Sequence, residues 1–161
     1  MAVLAKWYDS AAKKIGDASY QSTTTLGSAS ISIASQPMKV ALLSSSYTFS
    51  SSHTVYADIS GSEIANGNGY TTGGASLASV AWTQAGAVTN FTAANVTWTA
   101  SGTGIPAFRY AALYCTATLL TIVKPLILVL DNNGSDVALT PSGSTLQITW
   151  NATGIFQQAH S

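Results

Sequence analysis

Few side chains in this sequence are equipped for acid–base, nucleophilic or metal chemistry. There are two histidines, His53 and His160, one cysteine, Cys115, six Asp or Glu and six Lys or Arg. His53 lies in the run Ser50-Ser-Ser-His-Thr54, and His160 stands beside Ser161. A hydrolytic triad would have to recruit one of them, and no Gly-x-Ser-x-Gly elbow is present to carry its nucleophile. No His-x3-His or Cys-x2-Cys spacing offers a metal a ligand set. Asp58 and Glu63 could act as paired carboxylates, but the simpler reading is that they cap the turn Asp58-Ile-Ser-Gly-Ser-Glu63. Asp131 and Asp136 flank a turn, and an EF-hand calcium loop would need many more oxygen ligands in order. Cys115, in Tyr110-Ala-Ala-Leu-Tyr-Cys115, reads as a small buried hydrophobe rather than a nucleophile. The expectation is a protein that is not an enzyme and takes no cofactor and no metal.

Arg109 is the only arginine, set in an otherwise apolar run from Ala107 to Cys115. Its guanidinium must reach water, a carboxylate or a carbonyl, because an unpaired buried charge is very costly. A structural ion pair with Asp58, with Glu63 or with a partner subunit is expected. The loop Asn66-Gly-Asn-Gly-Tyr-Thr-Thr-Gly-Gly74 lacks the Lys and Ser or Thr of a phosphate-binding loop. Its glycines suit positive φ angles and close packing instead. Asn90, Asn95, Asn133 and Asn151 head glycosylation sequons, which chance supplies readily in a Ser- and Thr-rich chain. Trp7, Trp82, Trp98 and Trp150 could form a carbohydrate platform, but three of them fall on the inward phase of expected strands, where core packing is the simpler role.

These residues need elements to position them, and composition bounds what those are. Only 7% of the chain is charged, against roughly 25% in ordinary domains, while 47% is hydrophobic and the net charge is zero. Balanced, sparse charge argues against nucleic-acid binding, which needs clustered Lys and Arg, and against an anionic membrane surface. The apolar stretch Leu119–Leu130 is shorter than the about 20 residues that span a bilayer and is broken by Lys124 and Pro125. Charge arrives too early after Met1 for a secretory signal, so synthesis and folding in a cytoplasm are expected. A surface with so little charge lacks the usual protection against association, which predicts coverage by neighbours.

Residues 2–15 carry Val3, Trp7, Ala11 and Ile15 at every fourth position, with Leu4, Tyr8 and Ala12 beside them. That spacing predicts an amphipathic helix, packed on its own domain or docked on a neighbour. On the second reading Val3, Trp7, Tyr8, Ala11 and Ile15 are the assembly interface. A polar arm over residues 20–30 follows, so the expected division is a helix and arm over 1–30 and a β-domain over 31–161. Strands are expected at Ile31–Ile33, Lys39–Leu43, Ala107–Cys115 and Pro125–Leu130, and a short helix at Val55–Ile59. Period-two alternation marks Ala94–Ala100, with Ala94, Val96, Trp98 and Ala100 inward. Leu146, Ile148 and Trp150 repeat it, and Ala78, Val80 and Trp82 follow it less cleanly. Turns at Ala85-Gly86, Ser101–Gly104, Asp131–Gly134 and Pro141–Gly143 separate these strands. The fold class this predicts is mainly β, an antiparallel sandwich or jelly roll with an N-terminal amphipathic helix and extended arm.

Several stretches carry a family resemblance: Met38-Lys-Val-Ala-Leu-Leu-Ser-Ser-Ser-Tyr-Thr48, Tyr56-Ala-Asp-Ile59, Glu63-Ile64 and Asn68-Gly-Tyr-Thr-Thr-Gly-Gly-Ala-Ser-Leu77. Phe91-x-Ala-x-Asn-Val-Thr-Trp98, Arg109-Tyr-Ala-Ala-Leu-Tyr114 and Ile148-Thr-Trp-Asn-Ala-Thr-Gly-Ile-Phe156 continue it. Together they resemble small virion proteins of tailed bacteriophages. The resemblance implies a non-enzymatic virion component present in many copies, such as a capsid decoration or cement protein. Its partners would be the major capsid protein or other virion proteins, and its own copies in a homo-oligomer such as a trimer. A tail, collar or head-fibre protein, with fewer copies, shares the composition. A carbohydrate-binding module is the remaining alternative and requires solvent-exposed tryptophans.

Overall fold

A computed structural model describes residues 4–10, 36–85, 88–119, 121–140 and 142–159. The described chain is mainly β, and every strand pairing in it is antiparallel. Five strands form the largest sheet: β1 (Leu4–Trp7), β2 (Met38–Leu43), β3 (Ala75–Ser76), β8 (Tyr110–Cys115) and β11 (Leu126–Asp131), in the spatial order β1-β11-β8-β2-β3. Four strands between β3 and β8 are β4 (Ala81–Ala85), β5 (Val88–Thr92), β6 (Val96–Thr99) and β7 (Ile105–Phe108). The short hairpin strands β9 (Thr118–Leu119) and β10 (Ile122–Val123) follow β8. After β11 come β12 (Val137–Leu139), β13 (Thr145–Ile148) and β14 (Phe156–Ala159). These strands pair as β14-β5-β4, β12-β7, β13-β6 and β10-β9.

The central strands are buried because their residues leave no polar face. Every residue of Tyr110–Cys115 is buried, as is Leu126–Val129 in β11. Both faces of the sheet are therefore covered. On one face Tyr110 meets Tyr47 edge-on and Tyr114 stacks on Tyr56, both from the irregular 44–74 segment. On the other, Ala111 and Leu130 share a cleft with Leu146, Ile148 and Trp150. Each Leu, Ile or Val fully buried here contributes about 1.5–3 kcal/mol relative to exposure. In β6 the alternation is as expected, with Val96 and Trp98 buried and Thr97 and Thr99 exposed. Leu146, Ile148 and Trp150 keep their inward phase but are only half-buried, and Ala94 and Ala78 are exposed.

The expected N-terminal helix over residues 2–15 does not begin at residue 2: of its described residues only Asp9 and Ser10 are helical, and residues 11–15 lie outside the described chain. Leu4–Trp7 is instead a strand, in register with β11 from Leu4 opposite Asp131 to Trp7 opposite Leu128. The physical reason is the apolar β11, whose row of backbone donors and acceptors needs a partner beyond β8. Tertiary pairing overrides a local helical pattern when it satisfies such an edge. Val3, Ala11 and Ile15 lie outside the described residues, as do the arm over 20–30 and the strand expected at Ile31–Ile33. The short helix expected at Val55–Ile59 is a 3-10 turn at Tyr56–Asp58, followed by a second at Ser60–Ser62.

Candidate functional site

Arg109 interrupts the run from Ile105 to Cys115, separating β7 from β8. Its expected partners were Asp58, Glu63 or another subunit; the structure replaces them with Asp131, at the end of β11. Arg109 Nε and Nη2 donate to the two Asp131 carboxylate oxygens at 3.0 and 3.1 Å, and Lys6 Nζ donates to Oδ2 at 3.0 Å. The antiparallel register explains the choice, since Asp131 sits opposite Tyr110 on β8 and opposite Leu4 on β1. The guanidinium also lies over the Tyr110 ring, 4.8 Å from its centroid. Hydrogen bonding from Arg109 holds the Asp131 carboxyl far below the usual carboxylate range, and the same bond raises the guanidinium. One buried carboxylate thus ties three elements together. Both of its oxygens are engaged by these two cations.

Glu63 is a second such node. Its carboxylate accepts from the hydroxyls of Tyr56 and Tyr70, and its Oε1 accepts from the Gly73 N–H at 2.7 Å. Tyr70 also accepts from the Leu42 N–H at 3.0 Å. Burial raises the Tyr70 and Tyr56 phenols well above the ordinary value, and the hydrogen bond to Glu63 adds to this. Tyr114 is pushed up to about 12, first by burial and then by the Glu63 charge. Asp58 accepts from the Thr54 and Val55 N–H groups at 2.8 and 3.0 Å, so it caps the turn that precedes it and not, with Glu63, the expected turn Asp58–Glu63; these bonds lower its carboxyl. His53 Nδ1 shares a hydrogen bond with Tyr47 Oη at 3.3 Å, and Tyr47 shares another with Tyr8 at 3.0 Å. Tyr8 itself is fully buried within this chain's core. Trp7 is half-buried and meets Phe156 edge-on. Cys115 is buried, and burial raises its thiol.

Two clefts on the described surface are lined by residues of the central sheet. The larger, of about 460 Å³, is mostly apolar and lies between the central sheet and β13, lined by Tyr110, Leu130, Val137, Leu146, Ile148 and Trp150. The smaller, of about 380 Å³, is bounded by Lys39, Tyr56, Thr72, Tyr114, Thr116 and Lys124. The register places Lys39 directly opposite Tyr114, and a bridge between Val55 and Pro125 brings Lys124 beside Tyr56. Sequence reasoning did not single out this second group, because its members are scattered over five segments. The one local signal was the charge of Lys124 breaking an apolar run.

Three of the tryptophans pack on neighbouring rings or in the core. Trp98 is buried, Trp7 meets Phe156, and Trp82 meets Phe91 and Phe156 edge-on. Trp150 donates its ring N–H to Ala94 O at 3.0 Å. Among the described residues, no three His, Cys, Asp or Glu side chains stand together as a metal site, and no helix is long and apolar enough to cross a membrane. Comparison with protein-family models, with curated proteins and with solved structures found no match.

Proposed function

We propose that this chain is a non-enzymatic virion structural protein, a capsid decoration or cement subunit built on a jelly-roll-like β-sandwich. The observation that carries the reading is where its few charges go. Asp131 ties Lys6 and Arg109, Glu63 holds two tyrosines and a glycine N–H, Asp58 caps a turn, and Asp9 accepts from Ser51. Ionisable groups are used to fasten the fold, and a surface rich in Ser, Thr and Ala remains. Such a surface can be covered by a neighbour without the large cost of desolvating ions. A subunit that binds only the assembled shell stabilises it by mass action. The resemblance of roughly residues 31–156 to small virion proteins of tailed phages supports the same reading.

The test is copy number in purified particles, by quantitative mass spectrometry against the major capsid protein. A ratio near one to one, or a simple lattice fraction, is expected. A few copies to a few dozen would move the protein to the neck, tail or fibres. Absence from particles would reject a virion role.

A further inference from the structure

The smaller cleft gathers the two described lysines that have no ion-pair partner. Of the described cations, Lys6 and Arg109 are neutralised by Asp131. Lys39 and Lys124 have no carboxylate within ion-pair distance among the described residues, and both line this one cleft. In a chain with so few charges, two ammonium groups at one opening, against the one Glu63 carboxylate bonded behind the lining to Tyr56 and Gly73, leave a net positive charge there. Lys124 is held there by an unusual backbone. Its φ of +50° lies in the left-handed region, which costs a non-glycine residue about 1–2 kcal/mol, and its Nζ stands 5.6 Å from the Tyr56 ring centroid. A strained residue that aims a charge into a cleft is a pointer to function.

We infer that this cleft receives a carboxylate side chain from an acidic peptide segment of a partner protein. The lining argues for that chemistry over its competitors. Phosphate sites draw on free backbone N–H groups, but here those of Thr72, Gly73 and Gly74 are taken by Asn66, Glu63 and Thr71. A sugar would need an open aromatic face. The Tyr56 ring has Tyr114 stacked against it at 4.5 Å and Lys124 over it. What remains is two ammonium groups and the Thr72 side chain, the Thr116 hydroxyl being given to the Pro37 carbonyl, a donor set that suits one carboxylate. Glu63 lies behind the tyrosines with its oxygens engaged by Tyr56, Tyr70 and Gly73. The partner's identity as an assembly neighbour rests on the reading above, but the two fail separately: particle copy number tests the assembly, and a peptide titration tests the cleft.

The experiment is a ¹H–¹⁵N NMR titration of the full chain with a short blocked peptide carrying two Glu residues. Its Gln counterpart, inorganic phosphate and glucuronate are titrated in parallel. The acidic peptide is expected to shift the amides of Lys39, Thr72, Gly73, Thr116 and Lys124, with binding weakened by salt. A Lys39→Gln/Lys124→Asn variant is expected to bind roughly tenfold more weakly. Asn tolerates the left-handed conformation, so this variant should keep the parent's melting curve. Equal shifts from the Gln peptide, unchanged binding by the variant, or no shift at millimolar peptide would overturn the proposal. Tighter binding of phosphate or glucuronate at the same amides would reassign the cleft to that anion.

Discussion

Asp131 is the residue on which most depends. Substituting Asn would leave Arg109 and Lys6 without their shared carboxylate, and the loss is expected to be about 1–3 kcal/mol, read as a lower urea midpoint. Lys6→Ala should cost less than about 1 kcal/mol, because that side chain is one-third exposed and Arg109 remains. The pH dependence has a definite sign. The folded-state carboxyl of Asp131 titrates below its unfolded value of about 4, so its contribution is fully present above that value and is lost as pH falls below it. The tyrosines act at the other end. Tyr8, Tyr47, Tyr56, Tyr70 and Tyr114 all have raised phenols, chiefly through burial. They stabilise the fold below the ordinary tyrosine value of about 10, and that stability is lost as pH rises towards their folded values. Absorbance at 295 nm should therefore show these phenols ionising late, together with unfolding. Early ionisation of all of them would contradict their burial.

Among the elements, the turns make the sharpest demand. A Cβ at Gly74, where φ is +74°, would lie 1.9 Å from the Val40 carbonyl oxygen. Gly74→Ala is expected to destabilise by about 2–4 kcal/mol. Gly61→Ala, with nothing within 4 Å of the new methyl, should change stability by less than about 0.5 kcal/mol. Paired denaturation curves check both. The positive φ angles of the 66–74 loop were legible in its glycines, and the alternation of Val96 and Trp98 foretold β6, because these signals are local. The edge strand β1 was not legible. Its residues Leu4-Ala-Lys-Trp7 carry a helical period, and only the presence of β11 across the sheet makes them extended. Arg109 was recognisable as needing a counter-charge, but the choice of Asp131 depends on strand register, which adjacent sequence does not encode. The Lys39 and Lys124 cleft was hidden for the same reason.

For the molecule as a whole, neutrality predicts that salt has little purchase. Between about 0.05 and 0.5 M salt the melting temperature should barely move, since the carboxylate of the ion-pair node among the described residues is shielded from solvent. A steep salt dependence would mean that unpaired surface charge matters more than the Asp131 and Glu63 nodes. The edge position of β1 has a further consequence, and it concerns time. Lys6 and Asp131 are 125 residues apart in sequence. The pairing of β1 therefore waits until β11 has been synthesised. Contacts of such long sequence separation slow folding, towards milliseconds to seconds in β-rich domains. During that interval the β11 edge stands open as a template for another chain. A nascent chain that pairs β1 with its own β11 closes that edge, and one that meets a second copy first can exchange β1 with it.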